Sequence, residues 1–70
     1  MSERLRYLRK ENNLSQQDIA TILHIKQNTY SQYENGKRQL PIELLVALAR
    51  FYKVSTDFIL GLTDNEDPYQ

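Results

Sequence analysis

The fold is decided by residues 15–41, Ser15-Gln-Gln-Asp-Ile-Ala-Thr-Ile-Leu-His-Ile-Lys-Gln-Asn-Thr-Tyr-Ser-Gln-Tyr-Glu-Asn-Gly-Lys-Arg-Gln-Leu-Pro41. Two short helical periodicities stand close together in this stretch. Ser15 is a strong N-cap residue with acidic Asp18 three positions on, and Ile19, Ala20 and Leu23 recur at the spacing of a buried helical stripe. The second pattern runs from about Gln27 to Asn35, and Gly36 stands where a glycine closes a helix. At about 100° per residue, Tyr30 and Tyr33 fall on one side with Thr29 near them, while Gln27, Asn28, Ser31 and Gln32 fall on the other. Tyrosines suit a core with their hydroxyls at its edge, which turns the amides and the serine outward. Gln and Asn each offer a donor and an acceptor. Adenine N6 and N7 present the matching pair in the DNA major groove, and a good pair discriminates by about 1–3 kcal/mol. The same face also reads as an ordinary solvated helix surface.

The flanks of this helix tilt the balance. Gln16 opens the preceding helix, where amide donors and the positive helix end suit a phosphate. Asn35, Gly36, Lys37 and Arg38 form a loop with two cations, in which free backbone N–H groups would suit a second phosphate. The loop reads equally as a helix C-cap whose basic residues favour the helix dipole, and both readings can hold together.

Outward from this stretch the periodicity gives an all-α chain with no convincing strand. The first helix spans about Ser2 to Asn12, with Leu5, Leu8 and Arg9 on one face. Arg9 on that apolar face needs a partner, because a lone buried ion costs several kcal/mol. Glu34, next to the buried Tyr33, is the expected partner; the alternative is that Arg9 snorkels to water. Pro41 opens a fourth helix, where its missing N–H costs little, with Ile42, Leu45, Leu48, Ala49 and Tyr52 facing inward. Ser55 caps a short fifth helix with Asp57 in its first turn; Phe58, Ile59 and Leu60 pack back, and Gly61 ends it. Residues 1–62 therefore form one domain, and residues 63–70 an acidic tail expected to fray.

Leu44, Ala47 and Phe51 make a second apolar stripe on the fourth helix. A helix apolar on both sides packs on both sides, so these residues are the candidate interface of a homodimer; cover by the fifth helix and the tail is the other reading.

Seventy residues allow one domain, burying only roughly 60% of the unfolded surface. The absence of cysteine excludes disulfides and thiolate metal sites, and the single histidine builds no zinc site, so no metal and no cofactor are expected. No apolar run approaches the roughly 20 residues that span a bilayer. The net charge is zero, but it is unevenly spread. Residues 1–38 hold seven bases and four acids, a balance of +3, and residues 39–70 hold two bases and five acids, a balance of −3. The basic half contains the candidate reading helix.

Ser15-Gln-x-x-Ile-Ala, Tyr30-Ser-x-Tyr-Glu-Asn-Gly-Lys-Arg with Pro41, and Val54-Ser-Thr-Asp-Phe-Ile-Leu-Gly together resemble the Cro/CI phage-repressor-type (Xre-like) helix-turn-helix family over about residues 3–62. The resemblance implies a compact five-helix, lambda-repressor-like DNA-binding domain, in a cytoplasmic transcription regulator of prokaryotic or phage type that binds near-palindromic operators as a homodimer. By position it implies Gln27, Asn28, Gln32 and Ser31 as base readers, Gln16, Asn35, Lys37 and Arg38 as phosphate contacts, and Arg9–Glu34 as a structural ion pair. Two positions depart from the pattern. His24 stands where the family usually has Gly, in a turn that favours positive φ. Tyr30 stands where the family prefers an aliphatic residue, so the larger ring is expected to push the reading helix outward or rearrange the core.

Two functions remain at this stage. One is a sequence-specific DNA-binding regulator, acting as a repressor by blocking polymerase. The other is a protein-interaction module of antitoxin or anti-repressor type with the same fold and weak DNA binding, favoured by the zero net charge and the acidic tail. No Ser/His/Asp set, metal cluster or phosphate loop points to an enzyme or to a small-molecule substrate.

Overall fold

The computed structural model describes residues 1–67; Pro68 to Gln70, the end of the expected acidic tail, lie outside the described residues. Five helices follow one another: α1 (Ser2–Glu11), α2 (Gln16–Leu23), α3 (Gln27–Glu34), α4 (Ile42–Tyr52) and α5 (Thr56–Leu60). No strand occurs among the described residues. The chain opens α2 with a reciprocal capping box. The Asp18 N–H donates to Ser15 Oγ at 3.0 Å, and the Ser15 N–H donates to the Asp18 carboxylate at 2.9 Å. Ser55 caps α5 in the simpler way, accepting from the Phe58 N–H at 3.0 Å. Pro41 lies just before the first helical residue of α4, as its N-cap.

All five helices end with one device. Asn13, His24, Gly36, Lys53 and Gly61 each take positive φ, at 56°, 59°, 74°, 59° and 81°. The N–H of the next residue then reaches back to the carbonyl five positions upstream: Leu14 to Arg9, Ile25 to Ala20, Lys37 to Gln32, Val54 to Ala49 and Leu62 to Asp57, all at 2.9–3.0 Å. This is the left-handed C-cap that satisfies otherwise orphaned helix carbonyls. At Gly36 an added Cβ would meet only Ser2 Oγ, at 3.9 Å, so the site needs glycine for its backbone angle and not for space. His24 adopts the left-handed conformation without glycine, and the α2–α3 turn closes with the usual bonds.

The core forms where these helices meet: α2 packs on α3, α1 on α3 and α5, and α4 on α5. Leu5, Ile19, Tyr30, Leu48 and Ile59 are its fully enclosed centre. Tyr30 is 0% exposed, so the core accepts its ring. On α4 the sequence reading needs correction. Ile42, expected inside, is 69% exposed, whereas Leu44 and Ala47, expected outside, are half-buried against the core. The buried arc spans about 200° of the helix and is centred near Leu48. It takes in most of both apolar stripes and leaves the edge carrying Ile42 and Val46 to solvent. Of the three candidate dimer residues, only Phe51 stays outside, 42% exposed and edge-on to Tyr52 at 5.1 Å. Leu60, expected to pack back, is exposed as well, because a five-residue helix buries only the side that carries Phe58 and Ile59.

The described part of the tail makes contacts. Arg4 donates to the carbonyls of Phe58 at 3.2 Å and Thr63 at 3.1 Å, and to the Asp64 carboxylate at 2.9 Å. Its guanidinium also lies 4.2 Å from the centre of the Phe58 ring. The Ser55 N–H donates to the Glu66 carbonyl at 2.9 Å.

Candidate nucleic-acid interface

A three-residue turn, His24 to Lys26, joins α2 to α3. Tyr30 and Tyr33 bury the inner side of α3, so the opposite side is presented outward as periodicity requires. Gln27 and Asn28 are exposed; Ser31 and Gln32 are half-exposed. No side chain caps the α3 N-terminus, and no acidic residue lies in its first turn. Gln27 and Asn28 therefore project beside uncapped backbone donors at the positive end of the helix. Ser31 Oγ accepts from Asn35 Nδ2 at 3.2 Å, which ties the middle of the exposed face to its C-terminal end.

Behind this face lies a buried polar cluster. Glu34, 1% exposed, accepts two bonds from Arg9: from Nε at 2.9 Å and from Nη2 at 2.8 Å. Such a two-pronged pair is the geometry that compensates a buried carboxylate best. Arg9 Nη1 donates to the Leu14 carbonyl at 2.9 Å. One guanidinium thus joins α1, α3 and the turn before α2. Two weaker donors converge on Glu34 Oε1, each at 3.4 Å: Arg6 Nε and Gln16 Nε2.

Burial alone would raise the Glu34 pKa. It is the largest single influence, but the Arg9 hydrogen bonds, the nearby Tyr30 hydroxyl, the Arg9 charge and Gln16 together outweigh it and hold the carboxyl at about 2. The Tyr30 hydroxyl lies close enough to act on that carboxylate but outside hydrogen-bond geometry; it and the Tyr52 hydroxyl are buried without a standard partner. Burial first, and the neighbouring Glu34 charge second, push Tyr52 up to about 12.

The flanking positions divide unevenly. Lys37 and Arg38 are exposed cations. The backbone N–H groups of their loop are not free, contrary to the sequence reading: Asn35 donates to Ser31, Gly36 to Tyr33, and both Lys37 and Arg38 to the Gln32 carbonyl. The helix cap consumes these donors, so only side chains are left to meet an anion there. On the other flank Gln16 is half-buried and leans on Glu34. Asp18, whose carboxyl the Ser15 backbone bond holds below the usual range, adds a negative charge two residues on. Arg6 escaped the sequence reading. Its signal was the three-residue spacing to Arg9, which puts both on adjoining sides of α1.

Comparison with known proteins places these residues in context. A family model described as helix-turn-helix matches residues 5–59. The chain is 46% identical over 66 residues to an uncharacterised HTH-type transcriptional regulator of Bacillus subtilis, YobD, covering 94% of this chain and 59% of the relative. It is 41% identical over 59 residues to the HTH-type transcriptional regulator AnsR of the same organism, covering 84% and 51%. It is 38% identical over 53 residues to the cryptic phage CTXphi transcriptional repressor RstR of Vibrio cholerae, covering 76% and 48%. The chain thus spans only about half to three-fifths of these relatives' lengths. No solved structure matches it significantly.

Proposed function

Because the chain belongs to the Cro/CI-type helix-turn-helix family, matched over residues 5–59, we propose that it is a sequence-specific DNA-binding transcription regulator. The observation that carries this reading is the outward face of α3: Gln27 and Asn28 exposed at an uncapped helix start, braced from behind by Tyr30 and Tyr33. In the major groove these amides, with Gln32 and Ser31 behind them, read base edges. Gln16 on one flank, and Asn35, Lys37 and Arg38 on the other, meet phosphates and fix the register. Occupying DNA in this way excludes polymerase, so the expected sign is repression. No helix among the described residues is long and apolar enough to cross a membrane. A regulator that reads DNA in this way works in the cytoplasm, where prokaryotic or phage operators lie.

The domain acts as a homodimer on a near-palindromic operator, with its two copies of α3 about 34–36 Å apart. Phe51 is the member of its expected contact set left free to reach a partner.

Binding-site selection from random DNA duplexes tests the reading. The parent enriches a defined sequence with half-sites about one helical turn apart. Gln27→Ala and Asn28→Ala each relax preference at particular bases by about 1–3 kcal/mol, while Lys37→Ala weakens all sequences alike. Failure to enrich any sequence at micromolar protein would leave the protein-interaction module, which the zero net charge favours, as the better account.

A further inference from the structure

We infer that Arg6, on α1, is a phosphate-binding residue of the DNA interface, oriented by its contact with the buried Glu34. This rests on reading the α2–α3 face as DNA-binding.

Around Glu34 stand one carboxylate and two guanidinium groups. Arg9 satisfies the carboxylate with two short bonds at 2.8 and 2.9 Å. Arg6 only grazes it, through Nε at 3.4 Å, and its side chain is 49% exposed. Its Nη1 and Nη2 make no hydrogen bond within the described residues. One positive charge is therefore left over at the surface, on a side chain whose inner nitrogen is tethered and whose outer fork is free. A tethered fork loses little freedom on binding and matches phosphate oxygens in pairs.

Gln16 donates to the same Glu34 oxygen, so Arg6 and Gln16 meet over one atom, and Arg6 adjoins a proposed phosphate contact. One turn before Arg6, Ser2 Oγ lies 3.9 Å from where a Cβ on Gly36 of the basic loop would stand. The Ser2–Arg6 side of α1 thus runs between the two flanks that clamp the DNA backbone. A purely structural Arg6 would be redundant, since Arg9 alone neutralises Glu34 with better geometry.

The test uses a mixed-sequence DNA duplex, on which phosphates supply nearly all the binding, titrated at several salt concentrations. Removing one phosphate contact lowers the salt slope by about 0.9, so between 50 and 200 mM salt Arg6→Gln should lose about 3–4-fold less affinity than the parent does. Its thermal midpoint should stay near the parent's, because Arg9 keeps Glu34 paired. Arg6→Lys keeps the charge and loses the fork: it should retain the parent slope with weaker binding, and it supplies the readout if Arg6→Gln folds poorly. A parent slope and affinity in both variants, while Lys37→Ala shows its reduced slope, would overturn this inference alone. Absence of salt-dependent binding by the parent would overturn the proposed function with it.

Discussion

Replacing Arg9 by Met should nearly unfold the domain, and replacing Glu34 by Leu at the same time should restore much of what was lost. The magnitudes follow from burial. Glu34 is 1% exposed, so Arg9→Met leaves its carboxylate with only the two 3.4 Å donors, Arg6 and Gln16, at a cost of up to about 3–5 kcal/mol. It also deprives the Leu14 carbonyl of its donor, adding about 1 kcal/mol. A chain of 70 residues has roughly 4–10 kcal/mol of total stability, so the single change removes about half or more. Glu34→Leu alone should cost less. The Arg9 side chain, 13% exposed and still held by Leu14, can extend its charge toward water. In the double variant neither ion remains, and two apolar side chains of similar length fill the site. The double variant should therefore be more stable than Arg9→Met by about 2–3 kcal/mol. Urea unfolding of the parent, both single variants and the double variant, with unchanged m-values, gives the cycle. Single costs that add to the double cost within about 0.5 kcal/mol would refute the coupling.

Acid should weaken the domain through the same carboxyl. Its folded pKa of about 2 lies below its ordinary 4.5, so its stabilisation is complete above pH 4.5 and is lost as pH falls toward 2. The loss approaches about 3 kcal/mol, and the Arg9→Met, Glu34→Leu double variant should show a flatter profile in that window; equal slopes would rule the pair out as its source. Positive φ costs most residues about 1–2 kcal/mol. His24→Gly should therefore raise stability by about 1 kcal/mol, and Gly36→Ala should lower it by about 1–2 kcal/mol, read as thermal midpoints; a destabilised His24→Gly would show that the imidazole contributes something the backbone angle does not.

How far the sequence could be read depended on how local each decision was. Helix ends were legible because caps are written within six residues: Ser15 with Asp18 at one end, Gly36 at the other. The Arg9–Glu34 pair was legible because a charge on an apolar stripe demands an opposite charge nearby. The rotation of α4 was not. At about 100° per residue its two apolar stripes adjoin in one broad arc with Ile42 at the far edge, and the wheel does not say where along that arc burial stops; packing on α5 and the rest of the core sets the limit, with Leu44 inside it and Ile42 outside. Around the site, identity and spacing pointed to Lys37 and Arg38. They did not reveal that the helix cap had already used the loop's N–H groups. Arg6 was missed because it lies beyond Arg9 at the rim of the apolar stripe, 49% exposed, where a charge demands no partner.

The Arg4 clasp on the tail has a meaning for time and not only for stability. Its bonds join positions 54, 59 and 60 residues apart, whereas the helix caps close over five. Nearly the whole chain must be drawn into a loop before these bonds can form, so they belong to the last stage of folding. Interactions missing from the transition state leave the folding rate alone and slow unfolding. Arg4 therefore acts as a latch: it has little to do with how quickly the helices assemble, and it lengthens the time for which the finished domain stays shut.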